Sequence, residues 1–217
     1  MTGAPFANRR DAGRQLAARL GGFAGPDTLV LALPRGGVPV AFEVARALAA
    51  ELDVAMVRKI GAPGQEELGI GAVMNGAEPV LDEAAMRIVR PPPGYVEAEV
   101  RRARAEIARR RLAYLGDRRP PDVSGRTVVV VDDGVATGSS ARAVLRALRR
   151  FRAGRLVLAV PVGPPDSLAM LAGEADGIVC LRLPASFGSV GAHYVDFTQT
   201  TDDEVIRLLH DSGRTGP

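Results

Sequence analysis

The chain has 217 residues, of which 47% are hydrophobic and 24% charged, a composition that excludes a disordered or fibrous protein and predicts one globular domain over residues 1–217. The 28 basic and 25 acidic residues give a net charge of +3, which is too small to indicate a nucleic-acid partner. Cys180 is the single cysteine, which predicts a protein without disulfides. The sequence has no signal-peptide pattern and no apolar run near the roughly 18 residues that cross a bilayer. We therefore expect a cytoplasmic protein without a membrane partner.

The first part of the chain alternates between helical and strand patterns. In chain order it predicts a helix over 8–20, a strand over 28–33, a tight loop over 34–37, a helix over 38–50 and a strand over 54–60. A flexible loop over 61–68 then precedes two short predicted strands, over 70–74 and 79–81.

The pattern changes over residues 90–121, where three prolines precede an arginine-rich helix predicted from Tyr95 to Tyr114. We interpret this segment as a helical insertion with a solvated surface. The alternation then resumes, with strands over 127–132, 156–162 and 178–183 and helices over 140–152 and 166–172. Such alternation predicts an α/β fold with a mostly parallel sheet flanked by helices, and it places a ligand at the carboxyl ends of the strands.

The strongest motif follows the strand that begins at Thr127. Two adjacent carboxylates, Asp132 and Asp133, precede a loop of small residues and the amino end of a helix. The backbone N–H groups there form a phosphate cradle, to which Thr137 and Ser139 add hydroxyls. Because two carboxylates repel a phosphate unless they bind sugar hydroxyls or a cation, we interpret the motif as a pentose phosphate site. A plain strand–turn–helix with an Asp turn and a Ser cap explains each residue singly but not all of them together.

This motif resembles the binding motif for phosphoribosyl pyrophosphate (PRPP) in type I phosphoribosyltransferases, and the similarity extends over most of the chain. The resemblance implies a parallel-sheet core, a small hood and a mobile loop over the active site. It implies that Asp132 and Asp133 contact the ribose hydroxyls of PRPP and a Mg²⁺ ion bound mostly through PRPP oxygens. It also assigns the 5′-phosphate to Ala136, Thr137, Gly138, Ser139 and Ser140.

Two other predicted strand ends carry cations. Arg35, Gly36 and Gly37 combine a planar guanidinium with glycines that allow close approach of a ligand. They resemble the family's pyrophosphate loop, which implies a cis peptide between Pro34 and Arg35. Lys59, the single lysine, ends the strand predicted over 54–60.

The departing pyrophosphate gathers negative charge, and these cations are suited to stabilise it. With Mg²⁺ they would do so while closure of the 61–68 loop excludes water. We therefore assign the catalytic role to Arg35, Lys59, Asp132 and Asp133. For Lys59 the alternative is a surface lysine whose stem covers apolar residues.

The segment 184–217 resembles the purine-binding end of hypoxanthine-type phosphoribosyltransferases, which implies that it forms the hood. It contains Phe187, Tyr194 and Asp196, which we assign to the base, although aromatics that close the core are an equal alternative for each ring. Ala136 stands where hypoxanthine-type enzymes have an acid, so guanine and hypoxanthine are expected to be poor acceptors. Base activation would then come from the Glu66–Glu67 pair, Asp196, His193 or a backbone carbonyl.

The sequence therefore predicts a magnesium-dependent phosphoribosyltransferase of nucleotide metabolism. It would transfer ribose 5-phosphate from PRPP to a nitrogenous base or amine and release pyrophosphate, with the acceptor unassigned. The resemblance also implies a homo-oligomer. The alternative is a non-catalytic regulator of the same fold that binds PRPP or a nucleotide and contacts nucleic acid through the arginine-rich helix.

Overall fold

The structure is a computed structural model that describes residues 4–74 and 78–212, without the side chains of Glu66 and Glu67. It divides into two compact units, which we call unit 1 (Met1–Ala55 with Pro121–Pro217) and unit 2 (Met56–Pro120). Unit 2 thus begins earlier than the insertion predicted over 90–121. No helix in the described part of the chain is long and apolar enough to cross a membrane.

The secondary-structure elements are numbered in chain order. The helices are α1 (Arg9–Ala17), α2 (Gly37–Leu48), α3 (Glu83–Val89), α4 (Tyr95–Leu115), α5 (Ser139–Arg150), α6 (Pro165–Leu171) and α7 (Asp202–Ser212). The strands are β1 (Thr28–Ala32), β2 (Glu51–Val54), β3 (Val57–Ala62), β4 (Gln65–Met74), β5 (Val80–Leu81), β6 (Thr127–Val131), β7 (Arg155–Val162) and β8 (Gly177–Arg182). Short 3-10 helices cover Gly21–Phe23 and Val190–His193.

Unit 1 contains a five-stranded sheet in the order β2-β1-β6-β7-β8, and every pairing in it is parallel. All of β1 is buried, and so is β6 after its first residue, as expected for apolar strands covered on both faces. In the register, Ala32 of β1 pairs with Val131 of β6. The two strands therefore end side by side, and the segments that follow them start at the same edge. The predicted α/β class is confirmed.

Helix α7 in unit 1 was not predicted from the sequence. It begins with three acidic residues in its first turn, which suit the positive end of the helix dipole, and Thr201 Oγ1 accepts the backbone N–H of Glu204. Val205, Leu208 and Leu209 form its buried face. The cap and the acidic first turn were signals that could have revealed it.

Unit 2 contains a three-stranded antiparallel sheet in the order β3-β4-β5. The single strand predicted over 54–60 is wrong, because β2 ends at Val54 in the parallel sheet and β3 begins a new sheet at Val57. The loop predicted over 61–68 is also wrong. Ala62 pairs with Gln65 in a tight hairpin, and Gly64 has φ of 71°, a backbone conformation that glycine tolerates.

The predicted arginine-rich helix is confirmed as α4. Its apolar positions Val100, Ala103 and Ile107 are buried, whereas most of its arginines are exposed. Glu106 accepts from Arg109 and Arg110 at 2.9 and 2.7 Å, and these bonds, chiefly that with Arg109, lower its pKa to about 2. Part of the basic charge on this helix is therefore neutralised within the helix itself.

Candidate functional site

The segments after β1 and β6 meet at the carboxyl edge of the parallel sheet. A Cβ atom added to Gly36 would lie 2.0 Å from Oδ2 of Asp133, and one added to Gly37 would lie 2.7 Å from the carbonyl oxygen of Val131. The peptide between Pro34 and Arg35 is cis, as the resemblance implied. The structure therefore brings the predicted pyrophosphate loop into direct contact with the acidic pair.

The two carboxylates of the pair have different surroundings. Asp132 Oδ1 accepts the backbone N–H of Asp133 at 2.8 Å, and burial together with the negative charge of Asp133 raises the pKa of Asp132. Asp133 Oδ2 accepts Nε–H of Arg9 at 2.8 Å. Arg9 thus supplies one positive charge to a site with two acids, which favours further partners such as hydroxyl donors or a cation.

The loop before α5 has the form of an anion cradle. Gly138 adopts a left-handed conformation at φ of 76° and caps α5, whose first N–H groups have no acceptor within the helix. The hydroxyls of Thr137 and Ser139 lie 3.1 Å apart beside this helix end. Ser167 Oγ donates to the carbonyl of Ala136 at 2.6 Å, which fixes the loop. Backbone donors, hydroxyls and the helix dipole together suit a phosphate.

Arg35 lies in the loop between β1 and α2. Its Nη1 is 3.7 Å from Oδ1 of Asp202 at the start of α7, and both side chains are exposed, by 39% and 62%. An exposed ion pair of this length contributes little stability. The Arg35 guanidinium is therefore held only loosely by this pair. The next two residues, Gly36 and Gly37, lie close to Asp133 and Asp132, respectively.

The residues that were predicted to contact the base differ in exposure. Tyr194 is buried between Phe6 and Phe197, with ring centroids 5.4 and 5.0 Å away, and its hydroxyl donates to the carbonyl of Asp133 at 2.5 Å. Burial raises the pKa of Tyr194, so the phenol stays protonated as the donor. Tyr194 supports the acidic loop, whereas stacking of a base on this ring stays a prediction.

The other predicted base contacts lie nearer the surface. Phe187 stacks on His193 with ring centroids 5.5 Å apart, and His193 Nε2 lies 3.0 Å from the carbonyl oxygen of Phe187. Asp196 is exposed and accepts from Oγ1 and N of Thr198 at 2.6 and 2.9 Å, which lowers its pKa. Asp196 is thus ionised near neutral pH.

Lys59 is not at the end of a parallel strand as predicted. It is an exposed residue within β3 of unit 2, where it pairs with Ala72 of the antiparallel hairpin. The prediction placed it wrongly because β2 and β3 were interpreted as one strand. Its catalytic role stays a prediction, and the side chains of Glu66 and Glu67 lie outside the part of the chain that the structure describes.

Arg9 is the site residue that sequence reasoning missed. Besides Asp133, its Nη1 donates to the carbonyl of Thr198 at 2.7 Å, and its guanidinium carbon lies 3.8 Å above the ring centroid of Phe197. The sequence contained one indication of this role. Asn8 caps α1, so Arg9 is the first residue of the helix. A positive charge at that position is unfavourable with the helix dipole, which suggests that Arg9 has a role outside the helix.

The residues with metal-binding chemistry at this site are Asp132 and Asp133. Over residues 4–74 and 78–212, no cluster of three or more His, Cys, Asp or Glu side chains could hold a metal ion. Two adjacent carboxylates nevertheless offer the hard oxygen ligands that Mg²⁺ prefers. Burial and the negative charge of Asp133 raise the pKa of Asp132, so a bound cation would stabilise the ionised form of this carboxyl. The pair therefore fits an ion whose remaining ligands come from a bound phosphate compound or water.

Residues 8–187 match the family model described as a phosphoribosyl transferase domain. The chain belongs to this family, in agreement with its fold and with the motif from Thr127 to Ser140.

Its relatives include two curated Mycobacterium tuberculosis proteins, both named "Putative phosphoribosyl transferase", which are 47% identical over 204 residues. That match covers 94% of this chain and 46% of each relative, so the chain spans about half the length of these proteins. The crystal structure of TT1426 from Thermus thermophilus is 43% identical, with a TM-score of 0.86 over 95% of this chain and 98% of that one.

Proposed function

We propose that this chain transfers ribose 5-phosphate from PRPP to a nitrogenous base or an amine and releases pyrophosphate. The observation that carries the proposal is the placement of Asp132 and Asp133 between the Gly36–Gly37 loop and the anion cradle of α5. An acidic pair between two phosphate-binding segments matches a ligand with ribose hydroxyls between a 5′-phosphate and a pyrophosphate. A cytoplasmic location, a place in nucleotide metabolism and a homo-oligomeric state belong to the same proposal.

Each part of the site has a defined role in the proposed reaction. The amino end of α5 with Thr137 and Ser139 binds the 5′-phosphate, and the carboxylates of Asp132 and Asp133 accept the ribose hydroxyls. The bond between ribose C1 and the pyrophosphate oxygen breaks, and its electron pair stays on pyrophosphate. The acceptor nitrogen then bonds to C1 and transfers its proton to a base, for which the Glu66–Glu67 pair, Asp196 and His193 are the candidates.

The leaving group gains negative charge as this bond breaks. Arg35, beside the Gly36–Gly37 loop, is the cation of unit 1 that we assign to it. A Mg²⁺ ion bound by Asp132, Asp133 and PRPP oxygens would supply further positive charge to the pyrophosphate. The acidic pair would also orient the ribose so that C1 faces the acceptor.

The first prediction concerns the acceptor and tests the proposal itself. With PRPP and Mg²⁺, pyrophosphate release should depend on an added acceptor, and guanine and hypoxanthine should be poor because Ala136 cannot exchange a proton with the purine ring. The measurement is pyrophosphate release with guanine, hypoxanthine, adenine, uracil and simple amines offered separately. Reactions without Mg²⁺ or without acceptor are the controls.

Each result of this assay has a clear meaning. Efficient conversion of guanine or hypoxanthine would refute the inference from Ala136. PRPP binding without pyrophosphate release for any acceptor would favour the regulatory alternative.

That alternative has less support from helix α4, because Glu106 pairs with Arg109 and Arg110 and so reduces the positive charge that α4 offers to a nucleic acid.

The second prediction tests Lys59. Lys59→Ala should lower turnover by about 100-fold while changing PRPP affinity by less than about 3-fold, because the charge on pyrophosphate is larger in the transition state than in bound PRPP. Arg58→Ala is the matched control, since neighbouring residues of a strand point to opposite faces. Wild-type turnover in Lys59→Ala would leave Lys59 as a surface residue.

A further inference from the structure

Arg9 joins three parts of unit 1 at the acidic pair. From the first position of α1 it donates to the side chain of Asp133 and to the backbone of Thr198, and it stacks on Phe197. Its side chain is only 11% exposed, and that of Asp133 only 14%. The guanidinium is therefore fixed in position by contacts on several sides.

The ion pair sets the orientation of the Asp133 carboxylate. Arg9 donates its Nε–H to oxygen Oδ2, which also lies close to Gly36. The backbone carbonyl of Asp133 is held by the hydroxyl of Tyr194. Side chain and backbone of the same aspartate are thus fixed by residues near the two ends of the chain.

Contact with the acidic pair distinguishes Arg9 from the neighbouring arginine of α1. Arg10, the next residue, forms an ion pair of 2.7 Å with Glu43 of α2, and its side chain is 46% exposed. The two arginines therefore share a chemical type, a helix and a similar pair length, but only Arg9 contacts the acidic pair. Arg10 serves as a matched comparison.

We propose that Arg9 is a positioning residue that holds the carboxylate of Asp133 in place for the ribose hydroxyls of the ligand. The inference rests on the proposed function, and it deepens it by assigning a determinant of ribose binding. Arg9 acts through Asp133 and not on the pyrophosphate. Ligands that contain ribose should therefore lose affinity when Arg9 is removed, whereas pyrophosphate should not.

The test is calorimetry with PRPP and ribose 5-phosphate in the presence of Mg²⁺, and with pyrophosphate in its absence, so that an ion held by Asp133 does not contribute to pyrophosphate binding. Arg9→Ala should lower the affinity for PRPP and ribose 5-phosphate by about 10- to 100-fold, the range expected for loss of a buried charge-assisted contact. Pyrophosphate affinity should change by less than about 2-fold. Arg10→Ala should match the wild type with all three ligands.

Two further variants remove ambiguity. Arg9→Lys keeps the charge but lacks the planar guanidinium that reaches both Asp133 and Thr198. Its affinities for PRPP and ribose 5-phosphate should therefore lie between those of the wild type and Arg9→Ala. If Arg9→Ala does not fold, Arg9→Lys provides the test of the inference. In an Asp133→Asn background, Arg9→Ala should cause little further loss, because the two residues act as one unit.

The possible outcomes separate this inference from the proposed function. Wild-type chain that binds no PRPP would overturn both. Wild-type binding of PRPP with unchanged affinity in Arg9→Ala and Arg9→Lys would overturn the Arg9 inference alone. An equal loss for pyrophosphate, or an equal effect of Arg10→Ala, would also overturn it, because either result indicates a direct contact or a general effect on α1.

Discussion

Replacing Asp132 and Asp133 together by asparagine is expected to lower PRPP affinity by at least about 100-fold. A hydrogen bond to a charged group contributes about 1.5–3 kcal/mol, and the double variant replaces two charged acceptors with neutral amides. It also leaves the Arg9 guanidinium, which is 11% exposed, without its carboxylate partner. Calorimetry with PRPP and Mg²⁺ measures the change, and thermal unfolding reports whether the variant is folded.

The matched control removes two carboxylates of unit 1 that lie away from the acidic pair and form ion pairs. Glu174 accepts from Arg146 at 2.7 Å and Asp176 from Arg149 at 2.8 Å, in the segment that precedes β8 and thus at the amino end of that strand. Glu174→Gln with Asp176→Asn should therefore leave PRPP affinity unchanged, because ligands of parallel sheets bind at the carboxyl ends. Unchanged affinity in the Asp132 and Asp133 variant would eliminate the pentose phosphate interpretation.

Gly37→Ala should lower the free energy of unfolding by about 1–3 kcal/mol, the usual cost of overpacking. The added Cβ would lie 2.7 Å from the carbonyl oxygen of Val131 and 3.0 Å from Cα of Asp132. Both atoms belong to the backbone, so no side-chain rotation relieves the clash. The loop and the acidic pair must then separate, and PRPP affinity should fall as well. Urea unfolding and calorimetry measure the two effects.

Gly22→Ala is the control for this substitution. A Cβ at Gly22 meets no atom within 4 Å, so the free energy of unfolding should change by less than about 0.5 kcal/mol. Equal stability of the Gly37 and Gly22 variants would show that the loop over residues 34–37 can move away from β6 without a loss of stability. The contact between the loop and the acidic pair would then not be fixed by the fold.

The parallel sheet and the acidic motif could be predicted from the sequence because their signals are local. The strand from Thr127 is a run of buried β-branched residues, and the small residues that follow it are typical of a strand-to-helix turn. The placement of Asp132 beside Gly37 then follows from the parallel register of β1 and β6.

The parts that could not be predicted depend on distant contacts or on weak local patterns. Strands β3 and β4 contain Gly61, Gly69 and Gly71, and their register shifts around Gly61, so no regular alternation marks the hairpin. The pairing of Arg9 with Asp133 joins residues 124 positions apart, and no local pattern encodes it. The position of Arg9 against the helix dipole was the single indication.

Strand β6 occupies the centre of the sheet, with β1 on one side and β7 on the other. Its amide hydrogens should therefore exchange with solvent at the slowest rates in unit 1, through global unfolding alone. Asp132 and Asp133 directly follow this strand. We therefore expect the positions of these two residues to fluctuate little before a ligand binds, so that association has little ordering entropy to overcome at the acidic pair.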